Sequence, residues 1–432
     1  MKTIFAIILL AIAVLCASAQ AQENTAEGWF KKGQELFGNG SMDESLQALD
    51  KGLEMDPANE SAWISKATTL MILGRGSESI TAYEKALQLL NETLEANPRD
   101  AQAWGSQAVA FSGLGREDEA LKSREMILKI VDERIEGDPE NATAWIGKAD
   151  TLAGLGRNGE AVAAYDRVIE LDPKHAADAA YTKAYLLVGL GRNEESLKAF
   201  DKALELMPES DTSKLARVWS MKGSTLQESN RPEDALDAYS RAAELNPEDV
   251  LNWHQIGMAA LMLGRFNESI EAYNRALQID PNSSQAWFEK GNALDKASRH
   301  SDAVKAFNEV TKLSDDATLK DSNDSSAWLY KGDALVRLTR YDEALKAYDR
   351  VFETAPSSFG QYIMPRAWIG KGDALLGLGE NESALESYNK AIELNPTFGE
   401  AWRGKGSAQK TLGKNSDAEM SFYVARKLGY NA

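Results

Sequence analysis

From about residue 26 onward, small and apolar side chains return in two interleaved rhythms. In AWIGKGDALLGLG (367–379), Trp368, Gly372 and Leu375 stand at offsets 0, 4 and 7, which is one face of a helix. Nearly the same phrase, AWIGKADTLAGLG, occupies 144–156. Sixteen residues beyond the Trp comes Ala or Ser, as at Ala161, Ala235, Ala344 and Ala384. Twenty beyond comes an aromatic ring, as at Tyr165, Tyr239, Tyr348 and Tyr388. These two positions, i and i+4, mark a second helix. Between the helices a GLGR-type turn breaks the first. Asn-Pro or Asp-Pro ends the second, because the residue before proline resists the helical region. The pattern predicts an all-α chain of paired helices.

Ten of the eleven anchors are the chain's Trp residues, at 29, 63, 104, 145, 219, 253, 287, 328, 368 and 402. The eleventh is Ala180 in AAYTKAYLLVGLGR, with Tyr181 next to it as a stand-in for the missing ring. Successive anchors lie 34, 41, 41, 35, 39, 34, 34, 41, 40 and 34 residues apart. Seven extra residues in the units of Trp63 and Trp104 continue the apolar face of the second helix, since seven residues are about two turns. The seven extra in the unit of Trp287 fall in the polar string SDDATLKDSND, which reads as a loop. Two further inserts, PESDTSKLARVW and PSSFGQYIMPRAW, lengthen the approach to the next anchor.

Trp, then Gly or Ala, then a small residue, an aromatic and a closing Pro, in this order and about every 34 residues, resembles the tetratricopeptide repeat family. The resemblance runs over about 26–428. It implies an α-solenoid, a right-handed superhelix of about eleven helix-turn-helix repeats, in a single solenoid over 22–432. It also implies a concave groove lined by first helices, at one, two, five, eight and nine residues after each anchor, used to hold proteins or peptides. On those positions the candidate binding residues are Tyr181, Tyr185, His254, Met258, Phe288, Asn292, Asp333, Arg337, Ile369 and Asp373. They differ from unit to unit, and they become acidic towards the C-terminal half. A partner with basic and aromatic groups is expected. The family's chaperone-tail clamp needs Lys and Asn at matching groove positions, and no unit supplies Lys one after the anchor.

Composition narrows the remaining classes. Residues 1–21 carry Lys2, an apolar run from Ile4 to Leu15 and small residues at Ala17, Ala19 and Ala21, the pattern of a cleaved secretory signal. The run is short for a membrane span, so membrane attachment is expected only if this signal is retained. The sole cysteine, Cys16, lies in it. The net charge of −18 opposes nucleic acid as a partner. His175, His254 and His300 fall in different units, which leaves no metal or nucleophile constellation. GLGRNG at 154–159 matches a dinucleotide fingerprint in letters only, because a helix precedes it where a strand is needed. No catalysis and no cofactor are expected. Eight Asn-x-Ser/Thr sequons exceed the roughly two or three that chance would scatter. Those in turns, at Asn39, Asn59, Asn141, Asn267, Asn282, Asn323 and Asn381, are glycosylation candidates, and Asn91 lies in a helix. The expected role is an extracytoplasmic scaffold for proteins or peptides. A self-associating envelope component, joined end to end, is the first alternative, and a small-molecule or saccharide binder the second. Finally, Lys stands three after the anchor in nine units, at 32, 66, 148, 183, 222, 290, 331, 371 and 405. Its stem is expected to cover the indole as part of the packing.

Overall fold

The structure is a computed structural model that describes residues 25–355 and 360–430, with side chains at 360–362 left aside. The expected signal at 1–21 and the closing Pro356 lie outside the described residues. These residues form 22 helices, numbered α1 to α22 in chain order, and no strand. They divide into two compact units between Met207 and Pro208. The first holds five hairpins, from α1 (Ala26–Gly38) to α10 (Asn193–Leu206). The second holds six, from α11 (Thr212–Glu228) to α22 (Asn415–Lys427). Within each unit every hairpin packs on the next, the arrangement of an α-solenoid.

Local chemistry sets the helix limits. Most first helices start on a side-chain cap: Asn59, Asp100, Asn141, Asp249, Ser283 and Asp324 each accept a backbone N–H from the first turn. Eight of the eleven second helices start instead after an Arg, as Arg157 pairs with Glu160 three residues on. The turn between them needs a left-handed residue. Gly156 and its equivalents supply it, but Asn230, Ser298 and Thr339 take positive φ in three units.

The deepest side chains are the rings at offset twenty. Tyr83, Phe200, Tyr239, Tyr273, Tyr348 and Tyr388 are all buried to 2% exposure or less. The small residue at offset four admits them: a Cβ on Gly332 would stand 2.6 Å from the Tyr348 ring. Where offset sixteen is Ser, its hydroxyl donates to the offset-four carbonyl, as Ser269 does to Gly257 at 2.7 Å. The Trp rings lie further out, at the seams between repeats. The indole N–H of Trp63, Trp104, Trp145, Trp253, Trp287 and Trp402 donates to the carbonyl of the Pro six residues before it. The Pro therefore closes one repeat and holds the next.

Two expectations need correction. The polar string SDDATLK is helical, within α16 (His300–Lys320), a 21-residue helix like α4 (Gly76–Ala96) and α6 (Glu117–Gly137). Polarity misled because the added turns need only one narrow apolar face. Val310 and Ser314 continue the buried row of Phe307, while Asp315 faces outward to pair with Lys331. Nor does Tyr181 fill the place of the missing Trp. It packs on Phe200 at 6.2 Å, as Phe288 packs on Phe307 and His254 on Tyr273 from the same repeat position.

The Lys three after the anchor does two things. Its ammonium lies 4.4–5.5 Å from the Trp ring centroid at Lys66, Lys148, Lys290, Lys331, Lys371 and Lys405. It also reaches an Asp on the second helix of the preceding repeat: Lys66 to Asp50 at 2.6 Å, Lys148 to Asp132 at 2.7 Å, Lys371 to Asp349 at 2.7 Å. Gln107 replaces the Lys in one unit, and there Asn91 replaces the Asp, joined at 2.9 Å. The Asp position is also Asn before Lys290 and Lys405, at Asn274 and Asn389, and there the Lys is kept over its Trp ring.

Candidate docking cleft

Within the second unit, first helices line a cleft of about 640 Å³. They are α15 (Ser284–Lys296), α17 (Ser325–Arg337), α19 (Gly360–Gly377) and α21 (Gly399–Thr411). Leu261, Tyr348 and Tyr430 also line it. Six of the ten groove candidates line it: Phe288, Asn292, Asp333, Arg337, Ile369 and Asp373. Phe288 and Ile369 are nearly buried and form its floor. His254 and Met258 belong to the same unit without lining the cleft, and Tyr181 and Tyr185 belong to the first unit. Of these, Tyr185 is 57% exposed. Burial lowers the His254 pKa, and its ring meets Gln285 at 3.0 Å.

The cleft is not simply acidic. Glu289, Asp295, Asp333, Asp373 and Glu400 face Lys296, Arg337, Arg366 and Arg403. Asp333 is the best-held carboxylate. It accepts from the Tyr348 hydroxyl at 2.8 Å and from Arg366 Nη2 at 2.7 Å. The same guanidinium lies 5.2 Å from the Tyr330 ring and 5.9 Å from Phe288. Its pKa is raised, first by the charge of Asp333. Asp373 accepts from the Tyr388 hydroxyl at 2.6 Å, yet burial pushes its pKa up to about 6. Burial also raises Glu289, against the opposing hydrogen bond from Asn292. Asp295 is engaged with His300 at 2.6 Å.

Offsets two, eight and nine already designated Glu289, Asp295 and Lys296 as groove-facing. Arg366 and Glu400 come from two residues before an anchor, a position the repeat pattern does not assign to the groove. No sequence signal marked Tyr430. Among the described residues no group of three or more His, Cys, Asp or Glu could hold a metal ion, and no helix is long and apolar enough to cross a membrane.

Family models described as tetratricopeptide repeat match residues 83–133, 122–176, 220–284, 254–318 and 288–359, more than half of the chain. Others of the same description match 175–248 and 365–398. A model described as bacterial transcriptional activator domain matches 13–102. An uncharacterized protein of Methanocaldococcus jannaschii is 39% identical over 54 residues, 12% of this chain. The chain spans 63% of that relative's length, less than two thirds. Among solved structures, a tetratricopeptide repeat protein from Parabacteroides merdae is 15% identical with a TM-score of 0.48, over 62% of this chain and 98% of its own. YrrB, a TPR protein with an unusual peptide-binding site, is 26% identical with a TM-score of 0.37, over 42% and 91%.

Proposed function

Because the chain belongs to the tetratricopeptide repeat family, we propose that it is a non-catalytic scaffold that holds a protein or peptide in the cleft of its second unit. One observation carries this reading. Side chains that vary from repeat to repeat, while the packing positions stay constant, converge on one concavity: Phe288, Asn292, Asp333, Arg337, Ile369 and Asp373. Its apolar floor and charged walls suit an extended peptide with basic and aromatic side chains. Such clefts take their affinity from buried anchors and their selectivity from charge.

The reading includes an extracytoplasmic location, which rests on the leader at 1–21, and sugars on the turn sequons. Asn39, Asn267, Asn282 and Asn323 are exposed. Asn59 and Asn141 use their side-chain oxygen as helix caps, and the Asn59 amide nitrogen also donates to Asp56 Oδ2 at 3.3 Å. A mass equal to the bare polypeptide in protein from its native source would remove the glycans. Cross-linking in the native envelope, with the linked residues mapped by mass spectrometry, tests the docking. Links through α15, α17 and α19 are expected, and links confined to outer helices would refute it.

A second reading, self-association, is favoured by Met420 and Tyr423, 63% and 51% exposed on α22. Mass photometry that finds only monomers at micromolar concentration would dismiss it.

A further inference from the structure

We propose that Phe288, Glu289, Tyr330 and Asp333 form a receptor for the guanidinium of a partner's arginine, and that the chain's own Arg366 fills it in the unbound protein. This rests on the docking cleft proposed above and names one side chain that the cleft would read. The pocket has what a planar cation needs. Asp333 is oriented by the Tyr348 hydroxyl at 2.8 Å, so one of its oxygens is left for a guanidinium. Two rings flank the site, at 5.2 and 5.9 Å from the cation that sits there now. Arginine suits this combination of carboxylate and aromatic faces better than lysine does.

The charges do not match one to one. Arg366 is paired with Asp333. Glu289 has no ion pair among the described residues, and its hydrogen bond comes from Asn292 Nδ2 at 3.3 Å. Asp333 thus holds the Arg366 guanidinium, while Glu289 feels the charges of Arg366 and Arg337 without an ion pair to either. A second cation can enter without leaving either cation unpaired, one on Asp333 and the other on Glu289. The Arg366 side chain is 40% exposed, against 10% for Asp333, so the cation is nearer to solvent than the carboxylate it covers. It comes from a third helix, α19, and from an insert that separates Trp328 and Trp368 by 40 residues. At the same repeat position the helices that build the pocket carry Gln285 and Ser326, which bring no charge.

The test uses two peptides, acetyl-Gly-Phe-Arg-Gly-amide and the same sequence with citrulline, a neutral isostere, in place of Arg. Binding to the full chain is measured by calorimetry. The wild-type protein is expected to prefer the Arg peptide several-fold. Arg366→Gln should widen that preference about tenfold, since a competitor is gone. Glu289→Gln leaves the Arg366–Asp333 pair in place and should erase the preference without changing the melting temperature. If Arg366→Gln impairs folding, Glu289→Gln decides alone. A preference unchanged by Glu289→Gln overturns the proposal, as does a failure of folded Arg366→Gln to widen it. Equal binding of both peptides also overturns it but leaves the docking cleft standing. Binding of neither peptide overturns the arginine receptor, and the cleft is then judged by native cross-linking.

Discussion

Replacing Gly370 by Ala puts the packing argument at risk in a single methyl group. A Cβ there would stand 2.1 Å from the Tyr348 hydroxyl and 2.3 Å from its Cζ. The ring cannot retreat, because on its other side Gly332 already leaves no room for a Cβ. Tyr348 must shift, and its hydroxyl then loses Asp333. Overpacking of this kind costs about 1–3 kcal/mol. The lost hydrogen bond to a charged group adds about 1.5–3 kcal/mol. Ala regains about 1 kcal/mol over Gly in a helix interior. The net loss is roughly 1.5–5 kcal/mol. Gly105 is the control, since its added Cβ would meet only Ile127 Cδ1 at 3.8 Å, an ordinary contact. Gly105→Ala should gain up to about 1 kcal/mol. Repeats open piecewise, so hydrogen exchange read peptide by peptide is the right assay. Gly370→Ala should lower protection across 325–354 about tenfold or more, by the rule of tenfold per 1.4 kcal/mol. Unchanged or increased protection there would refute the reasoning.

Three further outcomes follow from named contacts. Asp373 binds its proton more tightly when folded, with a pKa raised by burial from the usual 3.8 to about 6. The native state therefore holds more protons than the unfolded one between these values, and this group's contribution to stability falls as pH rises from about 4 to 6, by on the order of 3 kcal/mol. Asp373→Asn should flatten that part of the pH profile in urea unfolding; an identical profile would contradict the assignment. Thr339 has φ +58°, a poor region for a β-branched residue. Thr339→Gly should raise stability by up to about 1 kcal/mol in the same assay. Lys371→Met and Asp349→Asn, singly and together, should show a coupling below about 1 kcal/mol, because the pair is partly solvated. Both variants should keep partner capture intact, and loss of capture would make this Lys a binding residue.

The repeat itself was legible because each packing position does a job that few residues can do. Only Gly or Ala at offset four leaves space for a buried Tyr at offset twenty, so Gly332 and Tyr348 announce one another. The last turns of the helix at His300–Lys320 were not legible. Its extra turns rest on Ser314 and a narrow face, too slight a signal against four nearby aspartates. Phe288, Asp333 and Asp373 were found in advance, since repeat offsets fix which way a first-helix side chain points. Arg366 was missed for the converse reason. It precedes its anchor and reaches the cleft only because its side chain crosses to α17, a tertiary contact with no periodic signature. The expected acidity of the C-terminal groove gave too little weight to its cations: Lys296, Arg337 and Arg403 stand on the same helices as the acids, and Arg366 crosses from the next first helix.

The central claim is that a partner lies in the cleft of the second unit. A photo-cross-linking amino acid at Asn292, inside the cleft, compared with one at Glu386, exposed on α20 (Asn381–Leu394), tests it most directly. In the native setting the account predicts an adduct from position 292, mapped to a segment with basic and aromatic side chains, and none from 386. Equal adducts from both positions, or an adduct from 386 alone, would contradict it.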